Sequence, residues 1–163
     1  MAQPKLIPSL WFDTEAEDAA RFYTSIFENS RILGVSRFNE AGPGTAGTVM
    51  AVEFELNGQR FVAINGGPQF PFTEAISFQI PCTTQEEVDR YWAALIEGGE
   101  EGRCGWLKDR FGLSWQVVPD GLGELMSDPD PERAARATQA LMRMTKLDLG
   151  ELRRAADGAA VAG

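Results

Sequence analysis

The sequence predicts an α+β chain: two tandem βαβββ modules followed by a C-terminal helical extension. Three observations carry that expectation. Two amphipathic helices overlay on each other, each is preceded by a strand and followed by β segments at matching distances, and an Asn-Gly pair joins two alternating runs. At an offset of 69 residues, Glu17, Arg21 and Glu28 fall on Glu86, Arg90 and Glu97. Phe22-Tyr23 falls on Tyr91-Trp92, and Ile26-Phe27 on Leu95-Ile96. Apolar periodicity alone is common. Its recurrence inside matching β segments implies a duplicated unit.

The elements follow in order. A short apolar strand, Lys5 to Phe12, meets Asp13-Thr14, either of which suits a helix cap. The helix then runs to about Glu28, with Ala16, Ala19, Ala20, Tyr23, Ile26 and Phe27 at helical spacing. Strands are expected over Arg31 to Phe38, Thr48 to Leu56 and Gln59 to Asn65, with Asn57-Gly58 as a two-residue hairpin turn. Gly66, Gly67, Pro68 and Pro71 then break the chain and the pattern restarts. Ala75 to Cys82 reads as a strand, Thr83-Thr84 as a cap, and Gln85 to Glu97 as a helix stopped by Gly98-Gly99. Glu101 to Asp109 and Leu113 to Pro119 are the remaining strands. The closing strands overlay as well, with Gly58 on Gly112, Phe61 on Trp115 and Val62 on Gln116. In the tail, Asp130-Pro131-Glu132 starts a helix whose Ala134, Ala137, Leu141 and Met144 share a face through Lys146. Asp148 caps a second short helix, and the last residues, Gly158 to Gly163, are expected to fray. The expected division is 1–125 for the two-module domain, with modules at about 4–67 and 74–120, and 126–163 for the extension.

Composition removes several function classes. The 163 residues carry a net charge of −9 and no basic run, so no nucleic-acid surface is expected. No apolar run is long enough for a membrane span, and the start lacks the layout of a secretory signal, so the expected compartment is the cytoplasm. Cys82 and Cys104 stand apart, which reads as free thiols in a reducing compartment. There is no histidine, which excludes Ser-His-Asp triads, Cys-His pairs and His-based zinc sites. Gly42-Pro-Gly44-Thr-Ala-Gly47 matches G-x-G-x-x-G, but Thr48-Val-Met-Ala-Val-Glu-Phe after it alternates like a strand. A phosphate-binding loop needs a helix there, so a hairpin loop is expected, and no S-adenosylmethionine binding at it.

Several motifs resemble the vicinal oxygen chelate superfamily of glyoxalase I, bleomycin-resistance proteins and extradiol dioxygenases. They are the helix carrying Ala20-Arg-Phe-Tyr23 after a strand and turn, and the closing Asp109-Arg-Phe-Gly112-Leu-Ser-Trp-Gln116. Glu86-Glu87-Val88-Asp89-x-Tyr91-Trp92 and Cys104-Gly-Trp-Leu-Lys-Asp-Arg-Phe-Gly112 are similar to one subgroup, the PhnB-like proteins often labelled 3-demethylubiquinone-9 3-methyltransferase. The resemblance covers about residues 4 to 120, and the tail fits the subgroup. It implies that the two modules form a cupped half-barrel sheet, into which metal-dependent members direct one His, Glu or Gln from each of four strands. Those positions correspond here to Pro8, Val62, Ser77 and Gln116, the repeat offset laying Pro8 on Ser77. Pro and Val offer no side-chain ligand, and neutral Ser and amide oxygen are weak partners for transition metals. The expectation is therefore no cofactor and no bound metal.

Period-2 alternation, anchored on Gln116, places Ser77, Gln79, Ser114 and Gln116 on the cup face of the second module. From the first module it places Pro8, Leu10, Phe12, Arg60, Val62 and Ile64 there. Ile76, Phe78 and Ile80 are expected to point under the second helix, and Trp11 and Trp115 likewise away from the cup. Trp106, with Cys104, is expected near the cup rim. The residues expected to bind ligand are Pro8, Leu10, Phe12, Arg60, Val62, Ser77, Gln79, Cys104, Trp106, Ser114 and Gln116. The function expected from them is metal-free binding of a small aromatic or oxygenated molecule by a homodimer. An enzyme of the same fold working without metal, or a structural dimer with a vestigial cup, are the alternatives.

Overall fold

Asn57 and Gly58 both take positive φ, 49° and 81°, the left-handed pair that a tight hairpin turn requires. They join β3 (Val49–Leu56) to β4 (Gln59–Asn65) in antiparallel register, from Leu56 opposite Gln59 to Ala51 opposite Ile64. The structure is a computed structural model and describes residues 5–158. It divides into two units, with the break between Phe72 and Thr73.

In the first unit, β1 (Ser9–Phe12) runs parallel to β4, and β2 (Arg31–Arg37) antiparallel to β3, giving the order β1-β4-β3-β2. Helix α1 (Ala16–Ile26) packs on this sheet through Ala16, Ala19, Ala20 and Tyr23. Tyr23 stacks on Phe54 at 6.3 Å between ring centroids, and Phe54 on Phe61 at 5.4 Å. Neither Asp13 nor Thr14 caps α1. The carboxamide oxygen of Asn65, at the end of β4, instead accepts from the Ala16 amide at 2.8 Å.

The second unit repeats the plan. β5 (Ser77–Cys82) pairs parallel with β8 (Ser114–Pro119), and β7 (Trp106–Lys108) and β6 (Glu100–Glu101) complete the order β5-β8-β7-β6. The single strand expected over Glu101 to Asp109 is thus two short ones, separated by a turn at 102–105. Cys104 (φ 59°) and Gly105 (φ 82°) leave the extended region there. Helix α2 (Gln85–Ile96) is capped by Thr84, whose side chain accepts from the Glu87 amide, and buries Val88, Trp92 and Leu95.

Three helices follow in the same unit: α3 (Leu122–Met126), α4 (Pro131–Leu141) and α5 (Leu149–Ala156). Asp130 and Asp148 cap α4 and α5 as expected, accepting from the amides of Glu132 and Glu151. Helix α4 stops at Leu141 and does not reach Lys146. Ala137 and Ala140 of α4 are buried with Leu125, Leu152, Ala155 and Ala156, so the face read in the tail is used within the chain. α3 was not expected. Of the residues expected to fray, 159–163 lie outside the described residues. Among the described residues, no helix is long and apolar enough to cross a membrane.

Candidate functional site

Register decides which side chains share a face, because a slip of one residue moves a whole strand to the other side. In the second unit, Ser77 lies opposite Ser114 and Gln79 opposite Gln116. On the far side of β8, Lys108 lies opposite Ser114 and Trp106 opposite Gln116, and Glu100 of β6 lies opposite Lys108. Two polar rows therefore cross the sheet: Glu100, Lys108, Ser114 and Ser77, then Trp106, Gln116 and Gln79. Trp115, Val117, Ile80 and Cys82 fill the opposite, buried register beneath α2. Phe78 joins them, its ring 5.7 Å from that of Trp115. Ile76 does not, being 56% exposed just ahead of the strand. So Ser77, Gln79, Trp106, Ser114 and Gln116 share one face as expected. Lys108 joins them by the same alternation, two residues beyond Trp106.

The chemistry of this face is neutral at one row and charged at the other. Gln116 donates from Nε2 to the Ser77 hydroxyl at 2.9 Å. Ser114 is 1% exposed, and its hydroxyl has no hydrogen-bond partner among the described residues. A buried polar group left in that state costs about 1–3 kcal/mol. Ser114 is one of the residues that line a cavity of about 250 Å³, with Trp106, Lys108, Glu74 and Glu100. Lys108 is ion-paired with Glu74. That hydrogen bond raises the Lys108 pKa and lowers that of Glu74. An ammonium so held cannot take a proton from Ser114, so the neighbouring pair makes no nucleophile. Together the hydroxyl and the ammonium can donate to an oxygen of a bound molecule.

The closing Asp109-to-Gln116 motif is structural at its first residue. Asp109 is 3% exposed, and its Oδ1 accepts from the amides of Phe111 (2.8 Å) and Leu113 (3.1 Å). Its Oδ2 accepts from the indole of Trp115 at 2.9 Å. The turn it organises delivers Ser114 and Gln116 to the sheet.

The first unit departs from the expected register. Leu10 lies opposite Ala63 and Trp11 opposite Ile64. Leu10 (6% exposed) and Phe12 (3%) are therefore on the helix side with Phe61, and Trp11 takes the face expected of them. The cause is one extra residue between β1 and α1. Phe12 corresponds to Cys82, but Ala16 corresponds to Gln85, so the strands repeat at 70 and the helices at 69. Ser9, not Pro8, pairs with Val62 as Gln79 pairs with Gln116. Pro8 precedes β1 and uses its carbonyl to accept from the Val62 amide at 3.0 Å. Arg60 and Val62 alternate with the buried Phe61, as expected, and Arg60 pairs with Glu53 at 2.7 Å. Cys104 is tied to the end of α4 and the segment after it: its amide donates to the Met144 carbonyl at 2.9 Å and its thiol reaches the Leu141 carbonyl at 3.5 Å.

The metal that the superfamily resemblance implies does not fit these donors. With Ser9 in the place expected of Pro8, the first unit offers a neutral serine and a valine, the second Ser77 and Gln116, and among the described residues no three His, Cys, Asp or Glu side chains come together to hold a metal ion.

A family profile described as 3-demethylubiquinone-9 3-methyltransferase matches residues 4–118. The PhnB protein of Bacillus cereus, which bears the same methyltransferase label, is 38% identical with a TM-score of 0.66, over 71% of this chain and 99% of its own. The fosfomycin resistance protein FosX of Mesorhizobium loti gives a TM-score of 0.55 at 12% identity, over 78% of this chain and 99% of its own. FosX of Listeria monocytogenes, complexed with Mn(II) and sulfate, gives 0.53 at 20% identity, over 76% and 98%. At 12% and 20% identity the likeness concerns fold alone. Comparison with curated proteins returned no match.

Proposed function

Because this chain belongs to the family described as 3-demethylubiquinone-9 3-methyltransferase, in the vicinal oxygen chelate superfamily, we propose that it uses the glyoxalase-like fold as a metal-independent small-molecule-binding protein. The ligand site is the polar face of the second unit, centred on Ser114 and Gln116. One observation carries the reading: Ser114 lines a cavity, and its buried hydroxyl has no hydrogen-bond partner among the described residues. Native side chains in that state call for an explanation, and a ligand oxygen held between Ser114 and Lys108 is one. Trp106 supplies an apolar wall, and Gln116 can both donate and accept. These groups suit a carbonyl or hydroxyl better than a metal ion. The transferase in the family's description would need a base or an activated acceptor. The face offers no histidine, and its lysine is an ammonium held by Glu74.

Native mass spectrometry of protein purified without added ligand tests the reading directly, with Gln116→Leu as the control. The expected result is a small-molecule cargo on the wild type and its loss from the variant. Stability should change by no more than about 1 kcal/mol, since a solvent-reached amide is replaced by a near-isostere. A variant that loses several kcal/mol and keeps the cargo would make Gln116 a structural amide and remove this face as the site.

A further inference from the structure

We infer that the first unit carries a binding site for a flat organic cation, in the cavity between the end of β1, the start of α1 and the β2–β3 loop. The inference is independent of the site proposed on the second unit. The cavity holds about 800 Å³, within the ~300–1,000 Å³ range usual for small-molecule sites. Two of its walls are aromatic, and each ring is seated against a glycine. The Trp11 indole donates from Nε1 to the Gly67 carbonyl at 2.9 Å, and its ring covers Gly66, where a Cβ would come within 2.1 Å of it. Phe38 covers Gly44 in the same way, at 2.4 Å. Ile64 and Met50 add apolar surface. Asn65 is fixed from both ends, accepting from the Ala16 amide and donating to the Val49 carbonyl at 3.1 Å. The walls are built, not collapsed.

Charge then decides what fits. Asp13, Glu17 and Asp18 line this cavity, and no Lys or Arg does. Glu17 is committed to Arg21 at 2.8 Å, whereas Asp13 and Asp18 make no ion pair among the described residues. Carboxylates without an ion pair, in a cavity also lined by two aromatic rings, favour a cation by Coulomb attraction, with the ring quadrupoles adding to it. The same carboxylates repel phosphate or carboxylate groups. The Gly42-Pro-Gly44-Thr-Ala-Gly47 loop, which leads into β3 and not into a helix, thus serves the cavity by admitting the Phe38 ring.

Three probes with one ring system and different charge test this on the full chain: naphthylmethylammonium, naphthalenemethanol and naphthoate, measured by calorimetry at low and high salt. The ammonium is expected to bind about 10-fold tighter than the alcohol, with no detectable binding of the carboxylate, and the gap should narrow as salt rises. Asp13→Asn with Asp18→Asn should abolish the gap while leaving the alcohol bound, since both residues are exposed and outside the core. Gly44→Ala, which crowds Phe38, should weaken the ammonium and the alcohol alike. Equal binding of the three probes, no binding of any, or a preference that survives the double Asn variant would each overturn the inference.

Discussion

Asp109 accepts three hydrogen bonds in a nearly closed environment, from two backbone amides and an indole. Replacing it by alanine would leave those donors without a partner, at about 1–3 kcal/mol each before relaxation. The expected loss for Asp109→Ala is therefore about 3 kcal/mol or more, read by urea denaturation. A loss below about 1 kcal/mol would mean that water takes over the three donors. Cys82 gives a second residue-level expectation. Burial first, then Glu87 and Asp120, push its thiol up to about 11 from the usual 9.0. A pKa raised in the folded state contributes stability that is fully present below the unfolded value and lost as pH rises through the folded one. The protein should thus weaken between about pH 9 and about pH 11, and Cys82→Ala should weaken less. Equal pH slopes for wild type and variant would argue against it. At this scale the sequence points to the motif but not to its division of labour. Asp109 and Gln116 sit in one recognisable run, yet one organises a turn and the other donates to Ser77 across the sheet, and only backbone register separates those roles.

Among the elements, most boundaries were legible because their chemistry is local. Asn57-Gly58 allows little but a hairpin, Thr84, Asp130 and Asp148 each find the amide expected of a cap, and alternation around Gln116 correctly gathers Ser77, Gln79 and Ser114. What failed depended on counting across a turn. The helices repeat so well at 69 that the same offset seems to fix the strands, but the β1–α1 connection holds three residues where the β5–α2 connection holds two. One residue is enough to turn Leu10 and Phe12 inward and bring Trp11 out. The break between β6 and β7 was hidden for a different reason. Gly102 and Gly105 sit within a run that otherwise reads as a strand. Gly105 is tied to the tail, its amide donating to the Thr145 carbonyl at 2.8 Å. A turn held by a segment some forty residues away leaves no mark on local periodicity. The same slip hides the large cavity of the first unit, since the expected register sends Trp11 to the core.

Across the whole molecule, the strand edges remain to be accounted for. β2 lies at the edge of the first sheet and is exposed along nearly its full length, including Leu33 (37%) and Val35 (41%). Apolar side chains on an open edge invite association, and a homodimer covering this strand is the expected assembly. The Ala-rich face of α4 cannot contribute, because α5 already covers it. Register shifts between Ile32 and Gly34 and between Ser36 and Arg37 interrupt the backbone pattern, so the contact should rest on side-chain packing and not on a sheet continued between copies. Light scattering at micromolar concentration should return twice the 17.8 kDa chain mass. Leu33→Lys with Val35→Lys should return the single-chain mass, because two buried charges at a small interface are not repaid by any nearby acid on the same strand. The strand's own charges are both positive, Arg31, which Glu55 of β3 pairs at 3.2 Å, and Arg37. A wild type that runs at 17.8 kDa would refute the dimer. A double-Lys variant that stays dimeric would move the interface away from β2, and the exposed Leu33 and Val35 would then need no partner at all.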